Sequence, residues 1–356
     1  MTDTPLLSVD DLVTTFVVPR GLFATLRKVP ATEIRAVDGV SFTVRSGELL
    51  ALVGESGSGK TTTAQSLLHL IPSTGGTVLF KGGDISHLKT GQLATLRRQM
   101  QVIYQDPYES LDPRFRVRDI VAEPLVIHGI GAKGNEREEI VRGALEQVGL
   151  TPPDLFLDRF PHELSGGQRQ RVAIATALTL QPELLIADEP VSMLDVSVRA
   201  GVLELLDDLR DAGLGILMIT HDLSTAARYA DRIAVMYLGR IVEIGTAEQI
   251  VKDPRHPYTR ALLSVVPRPS RAGMKREILQ GETPNAAHIP SGCRFHPRCP
   301  VAVETCSGSD PALEAVPQGP KGHDAACLRL GDLIVNPARH APAVVPETPG
   351  ADGVSG

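Results

Sequence analysis

The sequence predicts an α/β fold in which a largely parallel sheet carries helices, preceded by an antiparallel β portion. An unbroken apolar run, residues 49–53, has the length of a strand covered on both faces. After Pro161, apolar runs of this kind alternate with helical patterns, which is typical of parallel strands joined by right-handed crossovers. Short β segments with turns fill the first fifty residues, and 40–44 alternates apolar and polar residues.

The elements follow in order along the chain. The first strands, 12–18 and 40–44, build the antiparallel portion, and a helix over 61–70 stops at Pro72. Residues 106–163 are helical and interrupted by prolines, which indicates a helical subdomain. The remaining predicted elements are helix 166–180, strand 184–187, helix 196–212, strand 216–219, helix 223–230 and strands 233–238 and 241–244.

Composition and charge exclude several classes of protein. The 356 residues suit about two domains of roughly 150 residues each. A net charge of −6, 4% aromatic residues and no tryptophan disfavour a nucleic-acid binder. No apolar run approaches the ~18–20 residues of a membrane span, and residues 1–11 carry no basic side chain as a secretory signal would. We expect a cytoplasmic chain that reaches a membrane only through a partner.

A phosphate-binding loop follows the apolar strand directly. Residues 54–61 match the pattern G-x-x-x-x-G-K-[ST] and open a helix, so backbone N–H groups and the helix dipole face an anion. Lys60 is expected to bridge the β- and γ-phosphates and Thr61 to hold Mg²⁺. The predicted nucleotide contacts in this segment are Gly54, Ser56, Gly57, Gly59, Lys60, Thr61 and Thr62.

Two carboxylates close the strand at 184–187. Asp188 suits coordination of Mg²⁺ and Glu189 suits polarisation of an attacking water. An apolar run that ends in Asp-Glu is otherwise usually a strand entering a loop. Beside a phosphate loop, at the edge where parallel sheets bind ligands, the catalytic interpretation is favoured.

A second glycine-rich helix start has neither a lysine nor a preceding strand. Ser165 is expected to cap the helix, and the glycines that follow, including Gly167, expose N–H groups to an anion, next to Gln168. A plain capped helix is the alternative interpretation. The simplest physical role for this segment is to cover a γ-phosphate from the other side.

In this order the segments resemble the ATP-binding subunits of ABC transporters over about residues 6–250. The resemblance rests on the Walker A loop 54–61, Gln105 in 102–107, the signature 164–168, Walker B 184–188 with Glu189, the D-loop 192–195 and His221 in 219–222. Three stretches, 105–114, 160–171 and 256–259, are more narrowly similar to the oligopeptide/dipeptide importers.

The resemblance implies a P-loop ATPase core, with antiparallel β and α-helical subdomains, that binds ATP and Mg²⁺ between two subunits. Ser165, Gly167 and Gln168 would then face the partner's nucleotide, while Gln105 joins Thr61 and Asp188 as Mg²⁺ ligands. His221 would contact the γ-phosphate and the attacking water, although a lone histidine is more often a surface or core residue. The implied partners are a second ATPase subunit, identical or not, two integral-membrane permeases and, through them, an extracytoplasmic peptide-binding protein. The implied location is the cytoplasmic face of the membrane, without nucleic acid.

The aromatic residue that stacks on adenine is ambiguous. In the family it precedes the Walker A loop, which favours Phe16. The insertion 19–32 brings Phe23 as a competitor, and either phenylalanine is equally compatible with a core position.

Four cysteines, Cys293, Cys299, Cys306 and Cys327, lie in a Pro- and Gly-rich C-terminal stretch, and residues 1–292 contain none. We expect an ABC domain over 1–266 with its helical subdomain at about 106–163, a Cys-rich domain over 267–330 and a disordered tail over 331–356. Four thiolates in so short a segment could hold a soft metal, with His296 and His323 as alternative ligands. The resemblance favours a [4Fe–4S] cluster over Zn²⁺, reduced thiols or a disulfide.

Three function classes remain open at this point. An ATPase that powers peptide import is the leading hypothesis. A soluble ABC clamp acting on nucleic acid or ribosomes is disfavoured, because the chain has one cassette, no long heptad pattern and an acidic charge. A small-molecule kinase would leave the signature without a role, and nickel is an alternative cargo for an importer.

Overall fold

The computed structural model describes residues 4–18, 32–106, 110–133, 135–264 and 284–335. Its strands are β1 (Leu7–Val18), β2 (Thr32–Val44), β3 (Leu49–Val53), β4 (Gly75–Phe80), β5 (Gly83–Asp84), β6 (Met100–Ile103), β7 (Leu184–Asp188), β8 (Gly215–Thr220), β9 (Arg232–Tyr237), β10 (Arg240–Thr246), β11 (Glu314–Ala315) and β12 (Asp324–Ala325). Its α-helices are α1 (Lys60–Leu67), α2 (Thr90–Gln99), α3 (Val117–Ile127), α4 (Glu136–Gln147), α5 (Gly166–Leu178), α6 (Val196–Asp211), α7 (Leu223–Tyr229), α8 (Ala247–Lys252), α9 (Pro257–Ser264), α10 (Thr305–Gly308) and α11 (Leu330–Val335).

The larger sheet has the order β11-β12-β10-β9-β3-β8-β7-β6. Its strands β9, β3, β8, β7 and β6 are parallel, so their carboxyl ends lie at one edge. The antiparallel strand β10 extends the sheet, and β12 and β11 from the Cys-rich segment are added beyond it. The C-terminal segment is therefore attached to the ATPase sheet by backbone hydrogen bonds.

The antiparallel portion forms the second sheet, of order β2-β1-β4-β5. Because both faces of the large sheet are covered, β3 is buried at every position. Its side chains alternate: Leu49, Ala51 and Val53 belong to the core beneath the helical segment, and Leu50 and Leu52 to the core shared with the antiparallel sheet. The predicted α/β fold with an antiparallel β portion is confirmed.

The segment predicted as helical contains α3 and α4, which pack on α5. Residues 331–335 of the predicted disordered tail 331–356 belong to α11, whose Leu330 is buried against Val316 and Ala325. The sequence could not indicate this helix, because only six residues carry it. Residues 336–356 lie outside the described residues, so disorder there stays a prediction. No described helix has both the length and the apolarity that crossing a bilayer requires.

Candidate active site

The phosphate loop connects β3 to α1 and is shaped by glycines. Gly57 and Gly59 have φ angles of 78° and 106°, in the left-handed region that favours glycine. A Cβ at Gly59 would lie 2.2 Å from the carbonyl oxygen of Ala36, and one at Gly54 would lie 2.2 Å from that of Met236. The loop therefore passes so close to neighbouring backbone that only glycine fits at these two positions.

Lys60 begins α1 and is buried at the centre of the loop. Its Nζ donates to the carbonyl oxygens of Gly54, at 2.8 Å, and Glu55, at 2.9 Å. Burial lowers the pKa of Lys60, and the nearby carboxylates of Glu189, Asp188 and Glu55 oppose that shift. The ammonium is thus placed where an anion bound by the loop would meet it.

The remaining loop residues surround Lys60. Ser56 and Gly57 are exposed, and Thr62 lies partly exposed on the first turn of α1. Because the helix start has no side-chain cap and no acidic residue in its first turn, nothing on α1 itself competes with a bound phosphate.

Thr61 and Asp188 meet across the edge of the sheet. The Thr61 hydroxyl donates to Asp188 Oδ1 over 3.4 Å, and both side chains line one cleft with Gln105. Burial raises the pKa of Asp188, which the Thr61 hydrogen bond and the Lys60 charge counteract. A hydroxyl, a carboxylate and an amide are the oxygen donors that Mg²⁺ prefers, so these three residues fit that ion.

Glu189 is held between two predicted site residues. Gln105 Nε2 donates to Glu189 Oε2 over 3.1 Å, and His221 Nδ1 lies 3.1 Å from Glu189 Oε1. Glu189 itself has a φ of 47°, an unusual value for a non-glycine residue, and its N–H donates to Ile219 O. The strained backbone directs a carboxylate into the site between an amide and an imidazole.

The signature segment is tied to α6. Ser165 caps α5 as predicted: its Oγ accepts from Gln168 N over 3.3 Å, and its N donates to Gln168 Oε1 over 3.0 Å. A Cβ at Gly167 would lie 2.2 Å from a methyl of Val198. The second glycine therefore also serves packing, which the sequence pattern did not indicate.

Of the two candidates for adenine stacking, Phe16 lies within the described part of the chain. Phe16 lies on β1 opposite Ile34 of β2, and 38% of its surface is exposed. Phe23 lies outside the described residues. The role of either ring therefore stays a prediction.

The four cysteines share one neighbourhood. Cys306 is buried and the other three are half-buried, and Cys293 N donates to Cys306 O over 2.8 Å. Burial raises the pKa of Cys299 to about 12 and that of Cys327 to about 11, and the nearby thiols contribute in the same direction.

Neither the thiols nor the two alternative ligands form a metal-binding group within the described residues. No group of three or more His, Cys, Asp or Glu side chains within 4–18, 32–106, 110–133, 135–264 and 284–335 is arranged to hold a metal. The two alternative ligands are engaged otherwise, since His296 Nδ1 contacts Cys293 O and His323 Nε2 lies 2.8 Å from a carboxylate oxygen of Glu243. The predicted [4Fe–4S] cluster is not supported by this geometry.

Two residues that contact the phosphate loop were missed by sequence analysis. Arg298, in the Cys-rich segment, forms a two-pronged ion pair with Glu55 of the loop. Tyr258, on α9, accepts a hydrogen bond from Glu55 N over 3.0 Å. Tyr258 lies in the stretch 256–259 that carried the narrower resemblance, but no local pattern indicated its contact.

Comparisons with known proteins agree with this geometry. Residues 37–192 match the ABC transporter family, and 242–306 match the oligopeptide/dipeptide transporter C-terminal region. A putative peptide import ATP-binding protein of Brucella ovis is 49% identical over 92% of this chain and 99% of its own length. The oligopeptide transport ATP-binding protein AppF of Bacillus subtilis is 46% identical over 90% of this chain and 96% of its own.

Among solved structures, the ATP-binding cassette MJ0796, described as dimeric and bound to ADP and Pi, is similar at a TM-score of 0.59 and 27% identity. The match covers 68% of this chain and 98% of that one. The fold, the site geometry and the 46–49% identity to these relatives over nearly the full length lead to one conclusion. The chain belongs to the ATP-binding proteins of the ABC transporter family, in the group that carries the oligopeptide/dipeptide transporter C-terminal region.

Proposed function

We propose that this chain is the ATP-hydrolysing subunit of a peptide importer and works at the cytoplasmic face of the cell membrane. The observation that carries the hydrolytic part is the placement of Glu189 between Gln105 and His221, at the sheet edge that also bears the phosphate loop. Peptide cargo is supported by the names of the relatives and by the C-terminal region they share.

The site residues divide the reaction between them. Lys60 and the loop N–H groups bind the β- and γ-phosphates. They stabilise the negative charge that develops as the bond between the γ-phosphorus and the leaving oxygen breaks. Glu189 orients the attacking water and receives its proton, and His221, 3.1 Å away, keeps that carboxylate in place. Thr61 and Asp188 would hold Mg²⁺, which would neutralise part of the negative charge of the phosphates.

A second ATPase subunit completes the site in this proposal. Ser165 and Gln168 bond to each other and Gly167 packs on α6. A glycine-rich helix start without a lysine suits the γ-phosphate of a partner's nucleotide. The dimeric form of the MJ0796 cassette supports the same arrangement.

Transport is tested in cells that lack the gene. Wild-type protein should restore uptake of a labelled dipeptide or oligopeptide, and Glu189→Gln should not. The tagged protein should co-purify with two integral permeases, and uptake should also require an extracytoplasmic peptide-binding protein. Restored nickel uptake without peptide uptake, or co-purification with nucleic acid or ribosomes in place of permeases, would contradict the proposal.

The Cys-rich segment is the second part of the proposal. We infer that its four thiols hold a [4Fe–4S] cluster, with Zn²⁺ as the alternative. The inference is supported by the grouping of four cysteines within residues 293–327 and by the hydrogen bond from Cys293 N to Cys306 O, which brings two of them together. Protein purified without oxygen should carry a brown chromophore, with iron and acid-labile sulfide, that is lost on acid treatment. Colourless protein with one bound zinc ion would show that the thiols hold Zn²⁺ in place of the cluster. Protein with neither iron nor zinc would contradict both assignments.

A further inference from the structure

The C-terminal extension, here residues 284–335, reaches the phosphate loop through one ion pair. Arg298 Nη1 lies 2.8 Å from Glu55 Oε2, and Nη2 lies 3.2 Å from Glu55 Oε1. The Arg298 side chain is 7% exposed and that of Glu55 is 25% exposed, so water screens this pair only in part. The contact joins residues 243 positions apart.

Glu55 occupies a sensitive place in the loop. Its carbonyl oxygen accepts from Lys60 Nζ and from Ser58 N, and its N–H donates to Tyr258. Its carboxylate is also close enough to act on the charge of Lys60. Without the positive charge of Arg298, this carboxylate would therefore repel the triphosphate that Lys60 binds.

The partner arginine is held by an aromatic platform. The rings of Tyr237, Tyr258 and Phe295 are buried, with Tyr237 4.7 Å from Tyr258 and 5.3 Å from Phe295 between centroids. Arg298 lies over Tyr237, 5.9 Å from its centroid. Phe295 and Arg298 both come from the extension, which thus contributes the platform's third ring and its cation.

A second arginine of the extension fixes the neighbouring turn. Arg294 pairs with Asp38 and donates to Leu238 O, and both partners are buried. The next residue of that turn, Gly239, donates its N–H to Ser58 O of the phosphate loop over 2.8 Å. The extension therefore supports the loop at Glu55 and at Ser58.

We propose that Arg298 is a positioning residue of the nucleotide site, which neutralises Glu55 and holds it so that the C-terminal extension sets the affinity for ATP. The proposal needs only that the chain binds ATP, and it does not depend on the cargo or on a metal at the cysteines. It also places the short turn His296–Arg298, between Cys293 and Cys299, in direct mechanical contact with the Walker A loop.

The test is a charge cycle on the full-length protein, read by equilibrium titration with a fluorescent ATP analogue and Mg²⁺. Arg298→Ala should weaken binding roughly fivefold, about 1 kcal/mol, because the Glu55 carboxylate loses the positive charge of Arg298. The double variant Glu55→Gln with Arg298→Ala should recover most of that loss, since no excess carboxylate remains. Arg298→Lys should lie between Arg298→Ala and the wild type.

The matched control is Arg329→Ala. Arg329 also belongs to the extension, but its side chain donates to Val301 O and to Asp332, which both lie within the extension. This variant should bind the analogue as the wild type does, even where its melting temperature falls as far as that of Arg298→Ala.

Three outcomes overturn the proposal: unchanged affinity in Arg298→Ala, no recovery in the double variant, or an equal loss in Arg329→Ala. Each differs from failure of the ATPase assignment, in which the wild-type protein itself would not bind the analogue.

Discussion

The carboxyl edge of the parallel sheet and the C-terminal extension are built in opposite ways. At the edge, three site residues directly follow a strand: Gly54 follows β3, Glu189 follows β7 and His221 follows β8. The extension is held by pairs far apart in sequence, such as Arg298 with Glu55 and Arg294 with Asp38, at 243 and 256 residues. The catalytic residues thus lie on elements that the local sequence specifies. The contacts that hold the extension form only in the complete fold.

The two regions also differ in burial. At the edge, the His221 side chain is 60% exposed and Glu189 has a left-handed φ, as is common where side chains must meet a substrate. In the attachment of the extension, Glu243 and His323 are fully buried and bonded to each other. Substitutions at the edge should therefore cost activity, and substitutions in the attachment should cost stability.

The largest expected effect is at the edge. Glu189→Gln keeps the shape of the side chain but removes the proton acceptor, so kcat should fall by about 10²–10⁴-fold. The Kd for MgATP and the melting temperature should stay near the wild-type values. Steady-state ATPase assays and thermal unfolding give both readouts, with Glu204→Gln on the exposed face of α6 as the control. Wild-type turnover in Glu189→Gln would contradict the role of Glu189 as the proton acceptor.

The next largest effect is expected where the C-terminal extension is attached to the large sheet. Glu243 is buried and accepts from Arg255 N at 2.6 Å, His256 N at 2.9 Å and His323 Nε2 at 2.8 Å. Glu243→Gln sets an amide N–H against one of these donors, so the free energy of unfolding should fall by about 1–3 kcal/mol. Urea denaturation measures it.

The matched control for this change is Glu248→Gln, whose pair with Lys252 is more than 70% exposed on both sides. Its effect should be below about 0.5 kcal/mol. Equal losses in the two variants would show that the buried carboxylate does not secure the extension.

The smallest effect, taken per pH unit, is a pH dependence. Burial lowers the pKa of His256 to about 4, and its neutral Nδ1 accepts from Tyr258 N over 3.1 Å. Between about pH 6.5 and 4 the unfolded chain binds the proton that the folded chain excludes, so this histidine makes stability fall as the pH falls. Its share should be at most about 1.4 kcal/mol per pH unit.

Urea denaturation across this pH range compares the wild type with His256→Gln. The variant should lose that share of the slope while keeping an acceptor for Tyr258 N. Identical slopes in the two proteins would mean that His256 is not held neutral by burial.

Much of the site could be predicted because each part of it is a contiguous segment at a strand end. Lys60, Thr61, Asp188 and Glu189 meet as the sequence predicted, since parallel strands bring their carboxyl ends to one edge. Gln105 and His221 were identified only by the resemblance, because a single glutamine or histidine after an apolar strand carries no signal of its own.

The extension could not be predicted in the same way. Strands β11 and β12 have two residues each, too few to show a period of two. The contact of Arg298 with Glu55 leaves no local trace, because both side chains lie in irregular segments. The metal at the cysteines stays a prediction: their number and grouping indicated a metal site, whereas no metal-binding group is formed among the described residues.

The central claim is that the phosphate loop of this chain binds the triphosphate of ATP through Lys60. Equilibrium titration of the full-length protein with MgATP tests it most directly, beside Lys60→Ala and the control Lys81→Ala, whose lysine pairs with exposed Glu183. Saturable binding is expected in the wild type and in Lys81→Ala, with a loss of about 100-fold in Lys60→Ala. Absence of saturable binding in the wild type, or equal affinity in Lys60→Ala, would contradict it.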